Sequence, residues 1–357
     1  MLDFTSALYL GMRHPSRSLR PWPSLTAGVP AALAENSEAR RVAQEIAALQ
    51  GCERGTAGAS TLHLFWDLFG MMAGPRTRIY VDSGAYPIAR WGVERAAGRG
   101  AAVSSFRHLD AGALRRQLHR CGGEPIVVSD TFCPACGRAA PLREYLDGAR
   151  ECGGALILDD TQALGIFGPA PGPAAPYGKG GGGMLRAAGI AGNGVLAVSS
   201  LAKGFGAPLA VLAGSAAAIA EFERKSQTRT HCSPPSAAAI HAAAHALAVN
   251  RSAGDALRLR LARLVARFRA GAARADFRFR GGIFPVQTLG PAPENEIIGL
   301  HRRLAELGIR AVPLWARAGA AARLSFLITA RHEPRDVDRA VEALAQAGRG
   351  RPFAAGG

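Results

Sequence analysis

Apolar residues recur through the middle of the chain in short continuous runs, each bounded by turn residues. Such runs predict buried β-strands, because a strand covered on both faces is apolar at every position rather than at alternate ones. Segments with helical periodicity, including 111–120 and 142–151, lie between several of them. This alternation predicts an α/β fold around a mostly parallel central sheet. The predicted strands are 78–82, 101–106, 125–130, 155–160, 194–201 and 209–215.

The pattern changes after an Ala-rich helical stretch over 235–269. Two further predicted helices, over 295–307 and from Glu333 onward, alternate with apolar runs. This rhythm predicts a smaller α+β domain at the C-terminus. The Pro/Gly-rich stretch 169–183 predicts a loop inside the large domain, because strand-like runs continue on both sides of it. The three predicted parts are an N-terminal segment (1–37), a large α/β domain (38–248) and the small domain (249–357).

Basic residues outnumber acidic ones, with Lys+Arg 43 against Asp+Glu 27 in 357 residues and a formal net charge of +16. The arginines are scattered along helical stretches without a nucleic-acid-binding motif, so we expect no nucleic-acid partner. The N-terminus lacks the pattern of a secretory leader and no apolar run is long enough to span a membrane, which predicts a soluble, cytoplasmic protein. A hydrophobic content of 48% excludes a disordered chain. The lysines number three, Lys179, Lys203 and Lys225, so chemistry that needs a side-chain amine has three candidates.

Six cysteines in a chain of this length do not indicate a disulfide framework. Cys133 and Cys136 form a C-x-x-C pair, a spacing found both in redox pairs and in zinc sites. A zinc site would need a second pair at ligand spacing, and the sequence contains none. We therefore predict structural or incidental thiols and no metal.

The residues with the clearest chemistry follow two of the predicted strands. One run ends in Asp159 and Asp160, and another leads into a turn of small residues around Lys203. Open α/β proteins bind ligands at the carboxyl ends of their strands. An aspartate and a lysine at neighbouring strand ends suit pyridoxal phosphate (PLP), whose aldehyde reacts with a lysine amine and whose ring nitrogen needs an anionic partner. Salt bridges and helix caps are the alternative interpretation of these residues.

Six short motifs follow one another in order along most of the chain. They are Tyr9-Leu10-Gly11, Ala140-Pro141-Leu142, Asp159-Asp160-Thr161-Gln162, Ser200-Leu201-Ala202-Lys203-Gly204-Phe205-Gly206, Ser233-Pro234-Pro235 and Thr329-Ala330-Arg331-His332. Each motif is weak alone, but the ordered set resembles the α-oxoamine synthases, the branch of the fold-type I PLP enzymes that contains 8-amino-7-oxononanoate synthase and serine palmitoyltransferase. The resemblance implies a fold-type I transferase with PLP as its cofactor and a homodimer with the active site at the interface.

The resemblance also implies roles for individual residues. It makes Lys203 the residue that binds the PLP aldehyde and moves the substrate's α-proton, and Asp159 the partner of the ring nitrogen. Tyr86 falls where the family has a histidine stacked on the cofactor ring, and a packed turn residue is the alternative. Thr230 or His231 would reach the partner subunit's phosphate, with a solvated loop as the alternative. The other implied cofactor contacts are Ser60, Thr61, Gln162 and Ser200, of which the first two open a helix whose free N–H groups suit a phosphate.

The sequence departs from the family where the substrate binds. Gln162 replaces a histidine that contacts the cofactor, and it can donate a hydrogen bond but cannot titrate. Ser325 replaces the arginine that holds the substrate carboxylate. Arg323 lies two residues earlier on the same face of a strand and is the candidate substitute. Ala7 stands where the family has an asparagine that contacts the substrate.

These features lead us to expect a carbon–carbon bond-forming acyltransferase. Its amino substrate would form an external aldimine and then a carbanion that attacks an acyl thioester. The missing carboxylate clamp favours a non-standard amino substrate of specialised metabolism, since a bidentate Arg–carboxylate contact would otherwise fix the amino acid. An aminotransferase or a lyase would share every cofactor residue and is the first alternative. A non-catalytic PLP-binding regulator is the second.

Overall fold

The computed structural model describes residues 1–190, 194–315 and 321–348. The strands in chain order are β1 (Leu2–Asp3), β2 (Arg54–Gly58), β3 (Thr77–Asp82), β4 (Ala102–Phe106), β5 (Glu124–Asp130), β6 (Phe132–Cys133), β7 (Arg138–Ala139), β8 (Ala155–Asp159), β9 (Val195–Ser200), β10 (Ala210–Gly214), β11 (Val286–Pro293), β12 (Ile309–Arg310), β13 (Val312–Trp315) and β14 (Ala321–Leu327). The helices are α1 (Ser37–Gln50), α2 (Thr61–Met72), α3 (Pro87–Ala97), α4 (Ala111–Leu118), α5 (Leu142–Glu151), α6 (Gly183–Ala188), α7 (Ala216–Lys225), α8 (Gln227–His231), α9 (Ala237–Arg274), α10 (Glu294–Glu306) and α11 (Pro334–Gly348).

Seven strands form the central sheet, in the order β2-β10-β9-β8-β5-β3-β4. Strand β10 runs antiparallel to both of its neighbours, and the other adjacent pairs are parallel. Helices cover both faces, so successive residues of one strand enter different cores. Ile157 packs with residues of α2 and α3, whereas Leu156 and Leu158 pack with residues of α4 and α5. The predicted α/β fold with a mostly parallel sheet is confirmed, and all six predicted strands agree with the observed bounds to within one residue at each end.

The edge strand β2 has no counterpart among the predicted strands. Its residues are mostly small and lack an apolar run. A Cβ on Gly55 would lie 2.5 Å from the carbonyl oxygen of Ala43 in α1, so the close approach of this helix explains the small residue.

The C-terminal part contains a separate antiparallel sheet, ordered β11-β14-β13, with α10 against it, and α11 packs against α9 and α10. The N-terminal strand β1 pairs with β12 and so joins this part. Helix α9 runs unbroken across position 248, where the large domain was predicted to end, and the predicted small domain includes positions 316–320 and 349–357, outside the described residues. The three-part division stays a prediction. Among the described residues, none of the helices has the length and apolarity needed to cross a bilayer.

Candidate active site

A cavity of about 270 Å³ opens at the carboxyl edge of the central sheet, where β5, β8 and β9 end. This is the edge at which open α/β sheets bind ligands. Three of its wall residues carry a carboxyl or amine group and come from strand ends or the turns after them, and others are hydroxyl or aromatic side chains. The wall consists of Thr61, Tyr86, Ile88, Asp130, Pro134, Asp159, Thr161, Gln162, Ser200 and Lys203.

Asp159 and Lys203 meet in this cavity because β8 and β9 are parallel neighbours. The carboxylate of Asp159 is 7% exposed and accepts a hydrogen bond from the backbone N–H of Thr161 at 2.9 Å. The hydroxyl oxygen of Thr161 in turn accepts one from the backbone N–H of Ser200 at 2.9 Å, which ties the two strand ends together. The predicted acid and amine therefore lie on one rigid edge.

Burial dominates the ionisation of this pair. It raises the pKa of Asp159, although the hydrogen bonds from Thr161 and the charge of Lys203 oppose the rise. It lowers the pKa of Lys203, against the attraction of Asp159 and Asp130. A lysine of lowered pKa has a larger neutral fraction at a given pH and is a better nucleophile.

Asp130, at the end of β5, is the ionisable wall residue that the sequence analysis did not select. Burial and the nearby Asp159 charge raise its pKa well above the usual range. Its carboxylate accepts the backbone N–H of Tyr86 at 3.1 Å. The signal that selected Asp159, an apolar strand that ends in an acid, is present at Asp130 as well.

Tyr86 presents an aromatic ring to the amine of Lys203. The Nζ atom lies 5.7 Å from the ring centroid, and the side chain is 50% exposed. Tyr86 is the residue before α3, and Pro87 begins that helix. The backbone of Tyr86 is held by its hydrogen bond to Asp130 and by its position at the N-terminus of α3.

Gln162 is oriented by a tyrosine from the N-terminal segment. The hydroxyl of the buried Tyr9 donates to Oε1 of Gln162 at 2.8 Å, so the amide nitrogen is the side of Gln162 that can donate to a ligand. The carbonyl of Tyr9 accepts the N–H of Ala330 at 2.8 Å. These bonds give the Tyr9-Leu10-Gly11 motif a structural role, since it links the cavity to the C-terminal part.

The N-terminus of α2 supplies polar groups at the cavity. Ser60 caps this helix and Thr61, its first residue, lies in the cavity wall. The first N–H groups of a helix have no partner within the helix and attract anions. Ser60 also bonds the ring of His63, with 2.8 Å between Oγ and Nδ1.

Asp160 follows Asp159 in sequence, but its side chain points into the protein interior and forms hydrogen bonds there. Its fully buried carboxylate accepts bonds from the hydroxyl of Thr131 at 2.6 Å, the amide of Gln50 at 3.0 Å and the backbone N–H of Met184 at 3.1 Å. Burial outweighs these donors and raises the pKa of Asp160 to about 7. Asp160 is therefore a structural acid that connects three segments beneath the cavity.

Five sequence-predicted residues do not line this cavity. One is Ser60, which caps α2 next to Thr61. Ser325 is buried in β14, with its hydroxyl 2.9 Å from that of Thr288, and Arg323 is half-buried on the same strand. Thr230 and His231 are exposed at the C-terminal end of α8, so this segment is helical rather than a loop. The phosphate contact of Ser60, the substrate role of Ser325 and Arg323, and the partner role of Thr230 and His231 stay predictions.

Known proteins resemble both the sequence and the structure. The chain is 33% identical over 254 residues to 8-amino-7-oxononanoate synthase of Halorhodospira halophila, a match covering 69% of this chain and 60% of the relative. Serine palmitoyltransferase of S. paucimobilis, solved with a bound PLP–myriocin aldimine, superposes with a TM-score of 0.86 at 17% identity, covering 98% of this chain and 87% of that one. The chain has the fold of the α-oxoamine synthases.

The α-oxoamine synthase fold extends over nearly the whole chain. An 8-amino-7-oxononanoate synthase from Francisella tularensis superposes with a TM-score of 0.74 at 18% identity, covering 97% of each chain. No family model matches the sequence. The fold that the six motifs predicted is confirmed.

Proposed function

We propose that this protein is a PLP-dependent acyltransferase that joins an amino substrate to an acyl thioester by carbon–carbon bond formation. The observation that carries the proposal is the partly buried amine of Lys203, which shares one cavity with the carboxylate of Asp159 and lies 5.7 Å from the centroid of the Tyr86 ring. The sequence relationship to an 8-amino-7-oxononanoate synthase supports acyl transfer over the other reactions that begin with the same cofactor.

The donor set in the cavity fits PLP. A reactive amine, a buried carboxylate and an aromatic face match the aldehyde, the ring nitrogen and the ring of the cofactor. The N-terminus of α2 and the hydroxyls of Thr61 and Ser200 match its phosphate. When bound, PLP supplies an aldehyde that reacts with amines and a protonated ring that withdraws electrons from the substrate's α-carbon.

Lys203 has two tasks in this proposal. It holds the cofactor covalently before the amino substrate arrives, and its freed amine then moves the α-proton at Nζ. Both tasks need an unprotonated amine, and burial favours that form.

Asp159, Tyr86 and Gln162 hold and orient the cofactor. The carboxylate of Asp159 keeps a proton on the ring nitrogen, and Thr161 fixes that carboxylate in place. Tyr86 stacks on the ring, and Gln162 donates through its amide nitrogen, which Tyr9 directs. Ser60, Thr61 and Ser200 bind the phosphate.

In the substrate proposed here, the α-carboxylate is either absent or masked by a covalent modification. Among the described residues, no arginine belongs to the cavity wall, and the hydroxyl of Ser325 bonds to Thr288. We also propose a homodimer, because Thr230 and His231 are exposed on α8 and accessible to a second subunit.

Removal of the Lys203 amine tests the proposal. Wild-type protein incubated with PLP should show a visible absorption band that borohydride abolishes, and Lys203→Ala should lose the band and at least about 10³-fold in turnover. Lys225→Ala, on the exposed end of α7, is the matched control and should keep both.

A second measurement separates the possible reactions. Acyl transfer predicts that a thioester is consumed together with an amino substrate. Conversion of the cofactor to pyridoxamine phosphate with an amino donor alone would indicate an aminotransferase. A protein that binds no PLP would refute the proposal.

A further inference from the structure

The β6–β7 hairpin begins two residues after the end of β5, and the C-x-x-C pair lies at its tip. Cys133 pairs with Arg138 across the hairpin, and the N–H of Gly137 donates to the carbonyl of Cys133 at 2.9 Å. Gly137 has a φ of 69°, a conformation in which glycine is favoured, and closes the turn. The sulfur of Cys136 lies 3.9 Å from the carbonyl oxygen of Cys133. The turn therefore brings the two sulfurs within 4.8 Å of each other.

His108, in the loop after β4, adds a third potential ligand. Its Nδ1 lies 2.6 Å from a carboxylate oxygen of Asp82, and its Nε2 lies 3.8 Å from the sulfur of Cys136. The Nε2 atom and the two sulfurs all lie within 4.8 Å of one another. Asp82 is 1% exposed and also accepts the backbone N–H of Leu109, so it fixes both the ring and the adjoining backbone.

We propose that His108, Cys133 and Cys136 bind a thiophilic divalent metal ion, with Zn²⁺ as the expected ion. Bonds of about 2.3 Å to sulfur and about 2.0 Å to nitrogen place tetrahedral ligand atoms roughly 3.5–3.8 Å apart, and the His108–Cys136 separation of 3.8 Å already meets this. A carboxylate that holds the other nitrogen of a histidine ligand is a regular feature of zinc sites, and Asp82 has that position.

Three protein ligands leave one coordination position for solvent. Within the part of the chain that the structure describes, only these three groups form such a cluster. Each of the three residues is partly exposed, which gives an ion a path of entry. The spacing of the cysteines alone could not indicate this site, because the third ligand comes from a different strand end.

The proposed ion would brace two parts of the active-site wall. Pro134, between the two cysteines, lies in the cavity wall. Asp82 begins the turn that leads to Tyr86, and its carboxylate accepts the N–H of Gly84 at 2.7 Å. The metal would thus connect the hairpin that carries Pro134 to the turn that carries Tyr86, as a positioning element outside the reacting groups.

Metal content tests this proposal independently of catalysis. Full-length protein, purified without chelators from zinc-supplemented cells, should contain about one equivalent of zinc per chain by plasma mass spectrometry. Replacement with Co²⁺ should give the charge-transfer absorption of thiolate ligands. Cys133→Ser, Cys136→Ser and His108→Ala should each lose most of the metal.

Two variants sharpen the result. Cys152→Ser removes another partly buried thiol outside the cluster and should keep the full metal content. Asp82→Asn should retain the Co²⁺–thiolate absorption but bind Zn²⁺ about 10- to 100-fold more weakly in competition with a chromophoric chelator.

Either of two results would overturn the site. One is wild-type protein that holds no zinc and gives no thiolate absorption with Co²⁺. If mass spectrometry then finds a Cys133–Cys136 disulfide, the cysteines are a redox pair instead. The other is zinc that persists in full after all three ligand substitutions. Should the variants fold poorly, the Co²⁺ spectrum of the wild-type protein decides.

Discussion

The cofactor end and the substrate end of the proposed active site are built in different ways. At the first, strand ends of one sheet bring Asp159, Lys203 and the turn of Tyr86 into a single cavity. At the second, the strand that would carry a carboxylate clamp has Ser325 bonded to Thr288, and Arg323 is outside the cavity wall. The comparison teaches that the residues proposed to hold the cofactor share one cavity, whereas those proposed to bind the substrate carboxylate lie outside its wall.

The largest expected effect concerns Asp160, which lies beneath the cofactor end. Its pKa is raised to about 7 in the folded chain, so its protonated form contributes stability that is complete below about pH 4 and is lost as the pH rises through 7. The loss should reach about 4 kcal/mol. The free energy of unfolding of Asp160→Asn should lack this decrease with pH. The wild-type-minus-variant difference in unfolding free energy should therefore fall between pH 4 and pH 7.5. Asp147→Asn, at an exposed position of α5, is the control for the exchange of a carboxylate for an amide.

Asp159→Asn tests the anionic partner at the cofactor end. The amide keeps the shape of the side chain but cannot hold a proton on a pyridine nitrogen by its charge. We expect PLP to bind and turnover to fall by roughly 10²-fold. Turnover within threefold of wild type would assign Asp159 a structural role only, and Asp147→Asn again serves as the control.

Local patterns identify the sheet and its strand ends but not the contacts between distant segments. Continuous apolar runs predict β3, β5 and β8 because both faces of these strands are buried. The hydrogen bond between Tyr9 and Gln162 joins residues 153 positions apart. The pattern of hydrophobic residues along the chain does not predict a contact of this kind. The approach of His108 to the cysteine pair depends in the same way on β3 lying between β4 and β5.

A smaller effect is expected from Tyr86, which lies in the cavity at the cofactor end. Tyr86→Phe keeps the aromatic face and should leave PLP affinity unchanged. Tyr86→Ala should weaken it by about 1 kcal/mol, the usual worth of an aromatic contact. Titration of PLP into each variant measures the difference, with Trp91→Ala, an exposed residue of α3, as the control. Equal affinity for the alanine variant and wild type would mean that Tyr86 is a packed turn residue.

The smallest effect is expected at the substrate end, where Arg323→Ala probes the candidate carboxylate clamp directly. Because Arg323 does not line the cavity, KM for the amino substrate should change by less than about threefold, which is below 1 kcal/mol. The absorption band of bound PLP should be unchanged, so that a loss of fold can be distinguished from a loss of substrate contact. A rise in KM of about tenfold or more, confined to substrates with a free carboxylate, would show that Arg323 reaches in as the substitute clamp. That result would remove the difference between the two ends, since both would then retain the charged contacts of an amino-acid enzyme.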